Sequence, residues 1–203
     1  MIDTIVDGLS ENGIKDIYIV VGYMSDKFEA WKEKYPYIHL INNPYYATCN
    51  NIASLYVARD YIEDAIILDG DQIIYNSKIL NPYFERSGYN SVWVNENTTE
   101  WLQQTEDDVV VECSRTGGRR GWQLYSISRW TKSDGKKLKK HLEQEFEENK
   151  DYDIYWDDIA LFKHKEEYQL GIYPMNKSDV IEIDNVIELS NGDTSYPKYI
   201  QGG

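Results

Sequence analysis

Ile2, Ile5, Val6 and Leu9 fall three and four residues apart, the spacing of one apolar helical face, and Asn12-Gly13 is a stop signal for that helix. The apolar run from Ile17 to Val21 predicts a buried strand. Ser25 is placed to cap a helix through Asp26, Phe28, Trp31 and Lys34, with Pro36 ending it. Ile38 to Ile41 predicts a short strand broken by Asn42-Asn43-Pro44, and a helix follows from Asn50 through Ala58. Ala65 to Leu68, apolar on both faces, predicts a buried parallel strand. Strands alternating with helices in this way predict βαβ units. The later half predicts strands at Ser91–Val94, Val109–Cys113, Trp122–Ile127 and Tyr168–Pro174. It also predicts a charged helix from about Lys136 to Glu148 and a loop at Gly117 to Gly121. With no repeat and no linker, residues 1–203 are expected to form one α/β domain, a Rossmann-like mixed sheet flanked by helices.

The strand at Ala65–Leu68 runs directly into Asp69-Gly70-Asp71. Carboxylates at the C-terminal end of a strand lie where open α/β sheets bind ligands, and paired acids there suit a divalent cation bridging phosphate oxygens. In Val180-Ile181-Glu182-Ile183-Asp184, Glu182 and Asp184 alternate with isoleucines and are expected on one side of a strand. Either element alone also reads as a solvated strand end; together they point to a metal-assisted phosphate site.

Composition narrows the partners. The 203 residues carry a net charge of -14, which argues against nucleic acid and anionic membrane surfaces, both of which need a basic face. No apolar run reaches the length of a membrane span, and no basic-then-apolar leader opens the chain, so a cytoplasmic location is expected. Cys49 and Cys113 fit free thiols rather than a metal motif. His39, His141 and His164 are scattered in sequence and suggest no metal triad.

The segment NNPYYATCNNIASLYVA, from Asn42 to Ala58, resembles a stretch of the bacterial phosphocholine cytidylyltransferases and related sugar-phosphate nucleotidyltransferases. IILDGDQII resembles that family's strand bearing a metal-binding Asp, and IEIDNV its closing acidic element; order and spacing also match across most of the chain. The resemblance implies a nucleotide-diphospho-sugar transferase type of fold and an Mg²⁺-dependent enzyme. It would act on a nucleoside triphosphate, CTP by preference, and a small phosphorylated acceptor. Asp71 would bind Mg²⁺, with Glu182 and Asp184 completing the set, and Asn50, Asn51 and Ser54 would lie near the nucleotide. An acceptor such as phosphocholine carries a quaternary ammonium, which favours aromatic faces and a carboxylate. Trp122, Tyr155, Trp156, Asp157 and Asp158 are the candidates. Core packing of the two tryptophans, and helix capping by the Asp pair, are the alternatives.

The family's opening strand and Gly-rich phosphate loop have no counterpart here. The resemblance therefore implies an N-terminally truncated member with an exposed sheet edge, open to pairing in a homo-oligomer. Gly117-Gly118-Arg119-Arg120-Gly121 has the residue types of such a loop but sits late, between two predicted strands. A sugar-1-phosphate nucleotidyltransferase, a metal-dependent glycosyltransferase and a non-catalytic nucleotide-binding remnant remain as alternatives.

Overall fold

The computed structural model describes residues 1–183. Helix α1 (Ile2–Glu11) buries Ile5, Val6 and Leu9. It stops at Asn12, whose side-chain amide donates to the Gly8 and Ser77 carbonyls, and Gly13 takes a φ of +81°. Strand β1 (Ile17–Val21) follows, buried at alternate positions. Helix formation through Lys34 is interrupted: α2 (Asp26–Glu29) and α3 (Trp31–Lys34) are separate turns, and Ser25 makes no side-chain cap. Strand β2 (Ile38–Asn42) runs parallel to β1, with Ile17 opposite Ile38. Helix α4 (Ile52–Val57) buries Ile52, Ala53 and Leu55 and leads into β3 (Ala65–Leu68).

Strand β3 departs from expectation. It pairs antiparallel with a later strand, β8, Ala65 lying opposite Trp130, and all four of its residues are half-buried. Apolarity on both faces does not select strand direction; the partner does.

Beyond β3, a short β4 (Gln72–Ile74) precedes β5 (Gly88–Thr98), β6 (Leu102–Glu106), β7 (Val109–Ser114) and β8 (Gly118–Trp130). The order in the main sheet is β7-β6-β8-β5, then β9 (Gly171–Pro174), with β3 also on β8. Strand β8 is long enough to serve two neighbours: Trp122 and Gln123 meet β6, and Ile127 to Trp130 meet β3. Strand β6 was not expected, because its Gln-Gln-Thr core is polar; Gln103 is nevertheless buried and accepts from Ser91. The expected loop at Gly117–Gly121 is mostly the start of β8, with Arg119 opposite Asn97 of β5. A Cβ at Gly88 would lie 2.1 Å from the Gly171 carbonyl oxygen, so the parallel β5–β9 approach requires glycine there.

Helix α5 (Lys132–Glu143) starts four residues earlier than expected because Thr131 caps it, accepting from the Asp134 amide. It continues through a wider, π-type turn at Gln144–Glu148. Strand β10 (Val180–Glu182) returns to pair antiparallel with β4. Two apolar cores result. One joins α1, β1 and the Tyr125/Ile127 face of β8; the other joins α4, α5, Trp130 and Trp156. Among the described residues no helix is long and apolar enough to cross a membrane.

Candidate active site

The β4–β10 pair brings the two acidic elements together. Glu182 lies opposite Gln72, and the Ile183 amide donates to the Asp71 carbonyl at 2.9 Å. Asp71 and Glu182, 111 positions apart in the chain, therefore sit on adjoining strand ends. Both are half-buried. Asp184 lies outside the described residues. Of the isoleucines flanking Glu182, Ile183 is buried and Ile181 is 40% exposed.

Asp69 is pushed up to about 6, first by burial and then by the neighbouring Asp71 charge; a hydrogen bond from Ser126 works against this. The Asp69 amide donates to the Ser126 carbonyl at 3.2 Å, fixing the strand tip against β8. Asp157 is buried and pushed well above the usual carboxylate range, by burial and then by the Asp69 charge. Its Oδ1 has no hydrogen-bond partner among the described residues. Tyr125, on β8, is raised by burial and then by Glu182. A row of interacting carboxylates thus runs from Asp71 through Asp69 to Asp157 and Asp158. The Asp71/Glu182 end offers carboxylate oxygens, the donors that hard cations take.

The asparagines anchor the start of α4 to the segment that carries Asp157 and Asp158. Asn50 donates from Nδ2 to the Asp153 carbonyl at 3.0 Å, and its amide donates to the Tyr152 carbonyl at 2.7 Å. Asn51 Oδ1 accepts from the Trp156 amide at 3.0 Å. Ser54 Oγ accepts from Asn43 Nδ2 at 3.2 Å. Asn51, Ser54 and Asp69 line a groove of about 520 Å³ between β1 and β3.

The acceptor candidates separate in space. Trp122 is edge-on to Trp93, centroids 5.2 Å apart, and being three residues from Tyr125 it projects from the other face of β8. Trp156 is 2% exposed and packs between Tyr89 and Trp130, which makes it a core residue. Tyr155 and Asp158 do enter an aromatic and acidic box, but its other members are Trp101 and Phe162. The box holds a cation of the chain itself. Arg115 donates from Nε and Nη2 to Asp158 Oδ1 at 2.9 and 2.6 Å, and its guanidinium lies 3.8 Å from the Phe162 ring centroid. Asp158 Oδ2 also accepts from the Tyr155 amide at 3.1 Å, three residues back, and makes no side-chain cap to the turn that follows it. Arg115, Trp101 and Phe162 carry no local signal, because Arg115 and Asp158 come from segments 43 residues apart.

The histidines, scattered in sequence, are partly gathered in space. His141 and His164 stack with centroids 3.9 Å apart, beside Glu145 and Glu167. Cys49 and Cys113 are unbridged.

Comparison with known proteins fixes the class. A choline-phosphate cytidylyltransferase from Streptococcus pneumoniae is 30% identical over 188 residues, covering 92% of this chain and 80% of that protein. The chain belongs to the cytidylyltransferase family. A 2-aminoethylphosphonate cytidylyltransferase from Lancefieldella rimae is 29% identical over 198 residues, covering 97% of this chain and 80% of that one. The solved CTP:phosphocholine cytidylyltransferase of Streptococcus pneumoniae superposes with a TM-score of 0.86 at 27% identity, over 96% of this chain and 84% of that one. An inositol-1-phosphate CTP transferase from T. maritima shares the fold, with a TM-score of 0.72 at 13% identity over all of this chain and 83% of that one. No family model matches the chain. The cytidylyltransferase class and the nucleotidyltransferase fold are as the sequence implied.

Proposed function

We propose that this cytidylyltransferase-family chain transfers the cytidylyl group of CTP to phosphocholine or 2-aminoethylphosphonate, with Mg²⁺ held by Asp71, Glu182 and Asp184. The observation that carries the reading is the meeting of Asp71 and Glu182 on paired strand ends, in a chain whose relatives bear those two acceptor names. An acceptor phosphate or phosphonate oxygen bonds to the α-phosphorus of CTP. The bond from that phosphorus to its bridging oxygen breaks, and pyrophosphate leaves. When bound by these residues, Mg²⁺ would supply Lewis-acid charge neutralisation to the reacting phosphates.

The chain's own contribution is alignment. Asn51 and Ser54 border the groove proposed for the nucleotide. The Tyr155–Asp158 segment is proposed to select a cationic acceptor, supported by the cation it already accommodates in Arg115. No side-chain nucleophile is required, because the acceptor oxygen serves as one.

Calorimetric titration with CTP and Mg²⁺, with and without phosphocholine, tests the reading. Metal-dependent CTP binding is expected, and Asp71→Ala is expected to abolish it and to lower any turnover about 10³-fold. Equal binding by Asp71→Ala would remove the proposed metal site. A preference for glucose 1-phosphate over phosphocholine would overturn the acceptor assignment.

A further inference from the structure

Two histidines from separate elements converge on one carboxylate. His141 Nε2 lies 3.3 Å from Glu167 Oε1, and His164 Nδ1 lies 3.9 Å from the same oxygen. One ligand atom from each of the three residues falls within 4.8 Å of the other two. His141 stands in the last turn of α5, His164 ends a π-type turn at Ile159–Lys163, and Glu167 closes a 3₁₀ turn at Lys165–Glu167. Their side chains are 3%, 15% and 54% exposed, so the set is rooted in the core and opens to solvent at Glu167.

The far nitrogen of each ring is engaged. His164 Nε2 lies 2.9 Å from Glu145 Oε1. Glu145 is buried and accepts from Asn149 and Lys163 at its other oxygen, so His164 is the donor in this pair. A neutral His164 then carries its lone pair on Nδ1, the nitrogen facing Glu167. His141 Nδ1 lies 2.7 Å from the Tyr168 hydroxyl, which leaves Nε2 toward Glu167. Outer partners of this kind hold metal-binding imidazoles in one tautomer and orientation. Glu167 is held through its backbone: its amide donates to the His164 carbonyl at 2.9 Å, and its carbonyl accepts from Lys137 Nζ of α5 at 2.5 Å. Glu145 lies in one π-type turn and His164 closes the other, a backbone form that recurs at functional sites.

We propose that His141 Nε2, His164 Nδ1 and the Glu167 carboxylate bind Zn²⁺, on elements other than those that carry Asp71 and Glu182. Two imidazoles and one carboxylate, with a fourth position open to water, are a zinc set, whereas Mg²⁺ takes oxygen ligands. Tetrahedral Zn²⁺ with bonds of about 2.1 Å sets its ligand atoms about 3.4 Å apart. His141 and Glu167 already stand at that separation, and His164 needs to close by about 0.5 Å. The rings are stacked at 4° with centroids 3.9 Å apart, and parallel rings cannot aim both lone pairs at one ion. Binding therefore turns them out of the stack, the less buried His164 and Glu167 moving toward His141. The ion then ties α5 to the chain that follows directly from Tyr155–Asp158. An ion pair with Glu167 would need one histidine; a metal uses both.

The test takes the full chain, stripped with EDTA, and titrates it with ZnCl₂ by calorimetry, with thermal melting and nitrogen NMR of the imidazole rings. Binding of one equivalent is expected, with a rise in melting temperature of about 5 °C at saturating Zn²⁺. His141 Nε2 and His164 Nδ1 should shift as ligands while the far nitrogen of each ring stays protonated. Glu167→Gln, a conservative change at an exposed side chain, should weaken binding about 10-fold, and His164→Gln about 100-fold. Tyr168→Phe removes only the outer partner of His141 and should weaken it about 10-fold. Asp71→Ala should bind Zn²⁺ as the parent does. No shift at the two rings, or undiminished binding by both Glu167→Gln and His164→Gln, overturns the proposal. Loss of Zn²⁺ binding in Asp71→Ala would place the ion on the strand-end carboxylates and overturn it as well. None of these readouts depends on CTP or on catalysis.

Discussion

The core beneath α5 and the core beneath α1 are built from the same kinds of side chain but closed to different degrees. Under α5, Trp130, Leu138, Leu142 and Ile159 are all 0% exposed. On the α1 side, Ile5, Leu9, Ile17, Ile19 and Val21 retain between 5% and 8% exposure and pack against partly exposed Ile66 and Leu68. Strand β8 contributes to both, with Trp130 in one and Tyr125 and Ile127 in the other. The open groove borders both cores, but it runs along the α1 and β1 residues of the second, whereas Leu80 and Ile127 within that core are fully enclosed. The lesson is that apolar periodicity recruits a residue to a core, whereas the elements on either side decide whether that core is complete.

The largest expected effect contrasts the two cores directly. Leu138→Ala should cost about 3–4 kcal/mol, because its surroundings cannot collapse onto the void. Ile5→Ala, beside space already open, should cost about 2 kcal/mol or less. Chemical denaturation of both variants checks this, and equal losses would break the comparison.

Next is the ion pair that fills the aromatic box. Asp158 is 5% exposed at its side chain and Arg115 48%. Arg115→Ala strands a buried acid, and a loss of about 2 kcal/mol is expected, reduced from the fully buried case by the solvent around Arg115. The same variant frees the box for an external cation, so its affinity for phosphocholine should change more than its affinity for CTP. Unchanged ratios of the two dissociation constants would separate the box from acceptor selection.

Asp157 offers a smaller effect of opposite sign. Burial and the Asp69 charge raise its folded value above the unfolded one. Its contribution is therefore complete at low pH and is lost as pH rises through the folded value. Asp157→Asn should stabilise the chain by about 1 kcal/mol at pH 7.5, with the gain vanishing toward pH 4. A variant less stable at pH 7.5 would mean that the charged carboxyl is better solvated than its burial implies.

His141 gives the smallest effect. Burial, then the His164 charge, holds it below its ordinary 6.5. The unfolded chain then binds a proton that the folded chain resists, so stability is complete above 6.5 and declines as pH falls below it. Melting temperature should fall by about 2–3 °C between pH 7 and pH 5.5, and His141→Gln should remove most of that fall. An unaltered acid limb in the variant would assign the decline to other groups.

Local pattern carried much of the fold. The α1 face, the β1 and β2 runs and the α4 helix are readable because each repeats its apolar positions within one element. Strand β6 escaped because its buried glutamine looks solvent-facing until Ser91 is found beside it. Long β8 escaped at its start because glycine and arginine read as loop when their strand partner is unknown.

For the site, the acids that follow β3 and end β10 were legible along the chain, as was the resemblance that marks it as a cytidylyltransferase. Folding in three dimensions is what brings Asp71 to Glu182, places Trp156 in a core and sets Arg115 in the box beside Tyr155. It also decided that β3 runs antiparallel to β8 and leaves its other edge on a groove facing β1. The division has one physical cause. Helix and strand periodicity act over a few residues and are written along the chain. Strand pairing, charge proximity and cavity closure join segments tens of residues apart, and depend on which surfaces are brought face to face.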